Sequence, residues 1–160
     1  MPAVISVVGT SDVGKTTLIE KLIPELKKRG YRIGVVKHAH HGFSIDRKGK
    51  DSWRHKAAGA DAVMVASPGK IAMVKDTLCE GLDCLEPYFQ DMDLVITEGY
   101  KKADKPKIEV LRKAINTEPV CKGNDHLFAV VTDSTVDIPV PQFGFDDIIP
   151  LADLIEKKYL

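Results

Sequence analysis

The sequence predicts an α/β fold: a mainly parallel sheet with helices on both faces and an additional β-hairpin. Three observations lead there. Short apolar, β-rich runs alternate with amphipathic helical stretches along the 160 residues. The first such run, AVISVV at 3–8, passes directly into a glycine-rich loop and then a helix. A later run, DLVITEGY, stays apolar until it ends on an acidic residue and a glycine, as a buried parallel strand does at a ligand-bearing sheet edge.

Residues 3–8 read as a strand buried on both faces. Residues 15–29 read as a helix with Leu18, Ile19, Leu22, Ile23 and Leu26 on one face, basic residues at its C-terminal end and Gly30 as its stop. Pro24 predicts a kink there, because a mid-helix proline removes a hydrogen bond. RIGVVK at 32–37 is a second strand, followed by a long polar loop, HAHHGFSIDRKGK. A short helix is expected in DSWRHKAAGA, with Lys50 or Asp51 near its start. ADAVMVA and KIAMVKD around SPGK form the hairpin, which implies a mixed sheet edge. Residues 77–89 are expected to be helical, DLVITEGY, 107–113 and 127–133 to be strands, and LADLIEKKY a terminal helix.

Chain length suits one domain, so residues 1–160 are read as a single domain; 101–106 and 113–126 are the only linker-like stretches. Hydrophobic residues at 44% and charged residues at 29% give an ordinary globular balance. Lys plus Arg and Asp plus Glu are 23 each, and zero net charge argues against a general nucleic-acid binder. No apolar run approaches the ~18 residues of a membrane helix, and the N-terminal run leads into the loop as a strand, not a signal peptide. Cys79, Cys84 and Cys121 lack a C-x-x-C pair and read as three thiols of a cytoplasmic protein.

The loop GTSDVGKT fits G-x-x-x-x-G-K-[ST], the phosphate-binding P-loop, and extends the prediction to a P-loop NTPase fold. Gly9 lets the chain leave the strand sharply, and Gly14 lets backbone approach an anion. Across Gly9, Thr10, Ser11, Asp12, Val13, Gly14, Lys15, Thr16 and Thr17, amides converge on phosphate with the positive end of the helix. Lys15 is assigned to the β and γ phosphates, Thr16 to Mg²⁺ and Thr17 to the α phosphate. Glu98 would share the sheet edge with the loop and bind Mg²⁺ through water, while the Gly99 amide would meet the γ phosphate. Asp93 is read as structural.

In the polar loop, Lys37 lies where it can reach phosphate or an acidic partner, and Asp46 or Asp51 could orient water or hold Mg²⁺. His38, His40 and His41 invite a metal reading, but three histidines within four loop residues cannot easily face one ion. Asp133, ending FAVVTD, could accept from guanine N1 and N2, although the usual N/T-K-x-D run is missing from VVTDS. Neither Gln90 nor Gln142 has a clear route to a γ phosphate, and no cis arginine finger is evident, which suits a nucleotide holder better than a fast hydrolase.

The chain resembles the MobB family of molybdopterin-guanine dinucleotide biosynthesis adapters. The resemblance rests on GTSDVGKTTLIEKLIPEL, VVKHAHHGFSIDRKGKDSWRHKAAGA, DLVITEGYKK and KIEVLR, and thins after about residue 115. It implies a P-loop GTPase-like fold with an all-parallel core, a cytoplasmic homodimer, GTP binding with slow hydrolysis at most, and association with the enzyme that attaches GMP to molybdopterin. Molybdopterin itself is a further partner of that reading. The family's phosphate-binding positions fall on Gly9 to Thr17, its V-E-G motif on Glu98 and Gly99 with Thr97 where Val is common, its middle motif on Asp46, Gly49, Lys50, Asp51 and Ser52, and its later arginine on Arg112. Competing readings are a P-loop small-molecule kinase or ligase and a GTP-dependent metallochaperone using the histidine loop.

Overall fold

A computed structural model describes residues 2–39, 42–79, 81–116 and 118–160. Its elements run β1 (Ala3–Val8), α1 (Lys15–Lys28), β2 (Ile33–Lys37), α2 (Asp51–Ala57), β3 (Ala62–Ser67), β4 (Lys70–Lys75), β5 (Leu94–Glu98), β6 (Lys107–Leu111), β7 (Leu127–Thr132), β8 (Gln142–Phe143) and α3 (Ile148–Tyr159), with one 3₁₀ turn at Glu86–Phe89. The chain divides into two compact units, residues 1–38 with 85–160, and residues 39–84.

In the first unit six strands pair in the order β2-β5-β1-β6-β7-β8, every pair parallel. β1 is thus central, with β5 and β6 as its neighbours. Its alternate side chains enter two apolar clusters. Ile5 and Val7 pack with Ile96, Ile108 and Val110 against α1 and α3, through Leu18, Leu22, Leu26, Leu151 and Ile155. Val8 packs on the other face with Leu111, Leu127 and Val130, under Val136, Ile138 and Val140. The sequence reading places helices on both faces; in this unit α1 and α3 share one, and irregular connections cover much of the other. A bulge in β7 near Phe128 lets Leu127 and Ala129 serve opposite clusters.

Two buried hydroxyls on neighbouring strands satisfy each other. Thr97 donates to Ser6 Oγ at 2.9 Å, and the two stand opposite each other in the β1–β5 register. A buried hydroxyl without such a partner would cost on the order of 1–3 kcal/mol. Asp93 accepts from the Arg32 amide at 2.7 Å, a structural role at the strand starts.

Helix α1 continues through Pro24, which lies on the exposed side together with Glu20, whose carbonyl loses its i+4 donor. Just past its end, Arg29 bridges to α3: it pairs with Glu25 at 3.0 Å, Asp153 at 2.7 Å and Glu156 at 2.8 Å, and Tyr31 donates to Glu156 at 2.7 Å. Hydrogen bonds from Tyr31 and then Arg29 hold the Glu156 carboxyl below its ordinary value.

The second unit contains α2 and the β3–β4 hairpin, whose turn is Pro68–Gly69. The hairpin forms a two-stranded sheet of its own, not a mixed edge of the main sheet. Lys56 pairs with Asp76 at 2.7 Å, and Met64, Val65, Ile71 and Met73 are exposed. Two expectations fail nearby. Cys79 and Cys84 are joined as a disulfide, so only Cys121, buried in the first unit, is a free thiol. Residues 77–89 do not form a helix: the crosslink closes a turn containing Gly81, and Pro87 starts only the single 3₁₀ turn.

Two outcomes follow from this packing. A Cβ on Gly34 would lie 2.6 and 2.9 Å from ring atoms of Phe89, so Gly34→Ala should destabilise the protein by about 1–3 kcal/mol through overpacking, as a lower urea midpoint. Because Glu156 ionises below its ordinary 4.5 in the folded state, its contribution is complete above that value and is lost as pH falls through the depressed one. Urea midpoints measured from pH 7 down to pH 3 should therefore fall less steeply for Glu156→Gln than for the wild type.

Candidate functional site

The loop between β1 and α1 carries a run of backbone amides without acceptors among the described residues. Gly9 leaves β1 at φ +139°, and a Cβ there would sit 2.4 Å from the Val110 carbonyl oxygen of the neighbouring strand. Asp12 (φ 62°) and Gly14 (φ 101°) turn the chain back toward α1. Val13 is fully buried and anchors the loop in the core, while Ser11, Asp12, Thr16 and Thr17 remain exposed. Helical bonding begins with Leu18 N–H to the Gly14 carbonyl at 2.9 Å; among the described residues no acceptor takes the N–H groups of residues 12–17. Six free amides at a helix N-terminus make an anion site. Lys15 reaches across it, donating to the Thr10 carbonyl at 2.5 Å. The Thr10 hydroxyl oxygen is buried and has no partner among the described residues.

The acidic residue at the end of β5 meets this loop. Thr16 Oγ1 donates to Glu98 Oε1 at 2.9 Å, and Lys37 Nζ lies 3.3 Å from the same oxygen. Register explains the meeting: Glu98 stands opposite Val7 on β1 and Lys37 on β2. Its side chain is 13% exposed, so one oxygen serves two donors in a sheltered position at the loop. Gly99 differs from expectation. Its N–H donates to the Val7 carbonyl at 3.0 Å, extending the β5–β1 ladder instead of facing a phosphate. His38 bonds through its amide to the Glu98 carbonyl at 3.0 Å, and its ring stacks on Tyr100 with centroids 4.5 Å apart.

The opposite flank of the loop is formed from the end of β6. Arg112 Nε donates to the Val13 carbonyl at 3.5 Å, and its guanidinium lies 4.3 Å from the centre of the Phe145 ring. A Cβ on Gly14 would be 3.5 Å from an Arg112 nitrogen and 3.6 Å from Phe145. The resemblance matches Arg112 to a family arginine and gives it no role; the local signal for one is a cation directly after the strand paired to β1 on the side away from Glu98. Asp133 follows β7 at the same edge, exposed, and accepts the Lys113 amide at 2.7 Å.

Asp46 and Asp51 belong to the second unit. Asp46 accepts the Arg47 amide at 2.7 Å, and Asp51 begins α2 and lies 3.6 Å from Arg54. His40 and His41 lie outside the described residues. Among those described, no group of three or more His, Cys, Asp or Glu side chains is gathered as a metal cage. No helix there is long and apolar enough to cross a membrane.

Residues 4–133 match the family described as Molybdopterin guanine dinucleotide synthesis protein B, MobB. The chain belongs to the MobB family. Its relatives include the molybdopterin-guanine dinucleotide biosynthesis adapter proteins of Haemophilus influenzae, 38% identical over 96% of this chain and 87% of that one, and of Escherichia coli, 35% identical over 91% and 86%. A crystal structure of molybdopterin-guanine biosynthesis protein B aligns with TM-score 0.74 at 37% identity over 96% of this chain and 97% of the other. Bacillus subtilis MobB aligns with TM-score 0.77 at 29% identity over 99% and 98%. The matched residues include the loop, Glu98 and Arg112, while Phe145 lies beyond them.

Gly9→Ala tests the loop's dependence on its neighbour. The new methyl would meet backbone, not a movable side chain, at a φ that L-residues rarely adopt, and the expected loss is about 3 kcal/mol or more in chemical denaturation.

Proposed function

We propose that the protein is a GTP-binding adapter in molybdenum cofactor maturation, acting in molybdopterin-guanine dinucleotide biosynthesis beside the enzyme that attaches GMP to molybdopterin, with GTP hydrolysis slow at most. Family membership supports the pathway. The observation that carries the nucleotide reading is the Thr16–Glu98 contact at the mouth of a loop with six free amides. The two oxygens are 2.9 Å apart. That is about the edge of an octahedron with Mg–O bonds of 2.0–2.1 Å, and hydroxyl and carboxylate are the hard donors Mg²⁺ takes. Thr16 and Glu98 would hold the ion, directly or through water, and the bound ion would neutralise phosphate charge.

In this reading the amides of residues 12–17 receive the β and γ phosphates, Lys15 leaves the Thr10 carbonyl to pair with them, and Thr17 serves the α phosphate. Lys37, 3.3 Å from Glu98 Oε1, orients that carboxylate. Asp133 takes part in base recognition. Gln142 spends its amide on the Val136 N–H and carbonyl, at 3.1 and 2.7 Å, which supports a holder over a water-activating hydrolase. The exposed apolar residues of the β3–β4 hairpin support a homodimer, since such a patch on a two-stranded sheet favours association. Residues 1–160 act as one nucleotide-binding domain, in the cytoplasm, where the Cys79–Cys84 pair would face a reducing thiol pool.

Calorimetric titration with GTP and ATP, with and without Mg²⁺, tests the reading. GTP should bind more tightly than ATP. Lys15→Ala should weaken GTP binding by about tenfold or more, the scale of a charge-assisted hydrogen bond. Glu98→Gln should reduce the Mg²⁺-dependent part of the affinity and leave Mg²⁺-free binding nearly unchanged. Equal GTP and ATP affinities would sink the guanine assignment, and full affinity in Lys15→Ala would sink the loop.

A further inference from the structure

We infer that Arg112 is a specificity-determining residue for the nucleotide base, donating to the O6 and N7 acceptors of guanine. The inference deepens the proposed function and rests on it.

The strand order divides the surroundings of the loop. β5 and β2 lie on one side of β1 and supply Glu98 and Lys37; β6, β7 and β8 lie on the other. A nucleoside triphosphate with its metal-binding end at Thr16 and Glu98 directs its sugar and base away from β5, toward the flank where Arg112 follows β6 and Asp133 follows β7.

Arg112 is built into that flank. Its guanidinium lies on Phe145, 4.3 Å from the ring centre. The segment carrying Phe145 is itself tied down: Lys21 donates to the Phe145 carbonyl at 3.3 Å and pairs with Asp146 at 2.7 Å, and Gly144 N–H donates to Asp147 at 2.7 Å. Yet the charge is largely unspent. Of five N–H donors the guanidinium uses one, on the Val13 carbonyl at 3.5 Å, and among the described residues no carboxylate pairs with it. A half-buried, immobilised guanidinium with free N–H groups is suited to acceptors that a ligand brings.

The phosphates already have Lys15 and the amides. Guanine offers what remains: O6 and N7 are adjacent acceptors that match the arginine fork, whereas adenine presents the N6 donor beside N7, and a guanidinium cannot accept from it. Arg112 thereby supplies discrimination that the missing N/T-K-x-D run does not, beside an Asp133 that already spends one oxygen on the Lys113 amide.

The test titrates GTP, 7-deaza-GTP, ATP and inorganic triphosphate, all with Mg²⁺, into the wild type, Arg112→Met and Arg112→Gln, with thermal melts to certify folding. Met keeps an unbranched chain over Phe145, and Gln provides the second variant if Met does not fold. The wild type should prefer GTP over 7-deaza-GTP by about tenfold, the discrimination expected of a bidentate base contact. Both variants should bring that ratio close to one and lower the GTP preference over ATP, with triphosphate affinity within about twofold of the wild type on the same ground. Equal losses for all four ligands would make Arg112 a phosphate contact and overturn the inference, as would an unchanged GTP to 7-deaza-GTP ratio in a folded variant. If the wild type binds GTP in a Lys15-dependent way while that ratio stays fixed, only the role of Arg112 fails. If the wild type binds neither GTP nor triphosphate, the nucleotide reading itself fails.

Discussion

One carboxylate oxygen joins three elements at the site. Glu98 Oε1 accepts from Thr16 on α1 and lies beside Lys37 on β2, while its own strand lies between β2 and β1. That meeting depends on register. Glu98 must stand opposite both Val7 and Lys37, and a slip of one residue along β5 would turn its side chain to the other face of the sheet. The register is held by the apolar clusters, since Leu94 and Ile96 enter one face of the sheet while the Thr97 hydroxyl finds Ser6 on the opposite one. The packing of the core and the position of the acidic group are therefore the same constraint, met at different points along β5.

The parts legible in the sequence are those where a residue type has a local physical reason to be where it is. Gly9 is needed because β6 passes too close for a Cβ, and the pattern of Leu18, Leu22 and Leu26 on α1 declares its buried side. Glu98 was legible because an acid at the end of an apolar parallel strand has few reasons to be there other than its edge. Arg112 was less so. What gives it meaning is Phe145, which arrives from a distant stretch of chain after β8, and a two-residue strand has too little pattern to announce itself. The helix expected over 77–89 failed for a similar reason: the Cys79–Cys84 crosslink and Pro87 act against a composition that otherwise permits helix.

The division of labour around β1 is set by topology more than by any one motif. In an all-parallel sheet every strand delivers its C-terminal residue to the same edge, so Val8, Glu98, Leu111 and Thr132 are followed at once by the loop, Gly99, Arg112 and Asp133. Groups far apart in sequence become neighbours because their strands stop at one edge. The second unit, residues 39–84, carries Asp46 and Asp51 on a much sparser apolar base, with Leu82 its buried hydrophobic residue among those described.

Covering a sheet face with irregular chain creates a problem that helices do not, because coil leaves backbone groups unpaired over a dry surface. β6 resolves it with two charged residues buried on the face away from α1. Lys107, 1% exposed, donates to the carbonyls of Ala103 and Lys105 at 2.6 and 2.9 Å. Glu109, fully buried, accepts the amides of Val120 and Cys121 at 2.6 and 2.9 Å. Burial raises the Glu109 carboxyl above its ordinary value while those two amides pull it back, so the group is held by backbone dipoles instead of a counter-ion. Each residue thus fixes one connection, 101–106 or 113–126, the two stretches whose sequences look most like linkers. The same strand is followed at once by Arg112, beside the loop, and Glu109 stands opposite Val8, the residue before Gly9. The polar residues of β6 therefore order the covering chain on one face, and the strand they stiffen carries the loop's second flank.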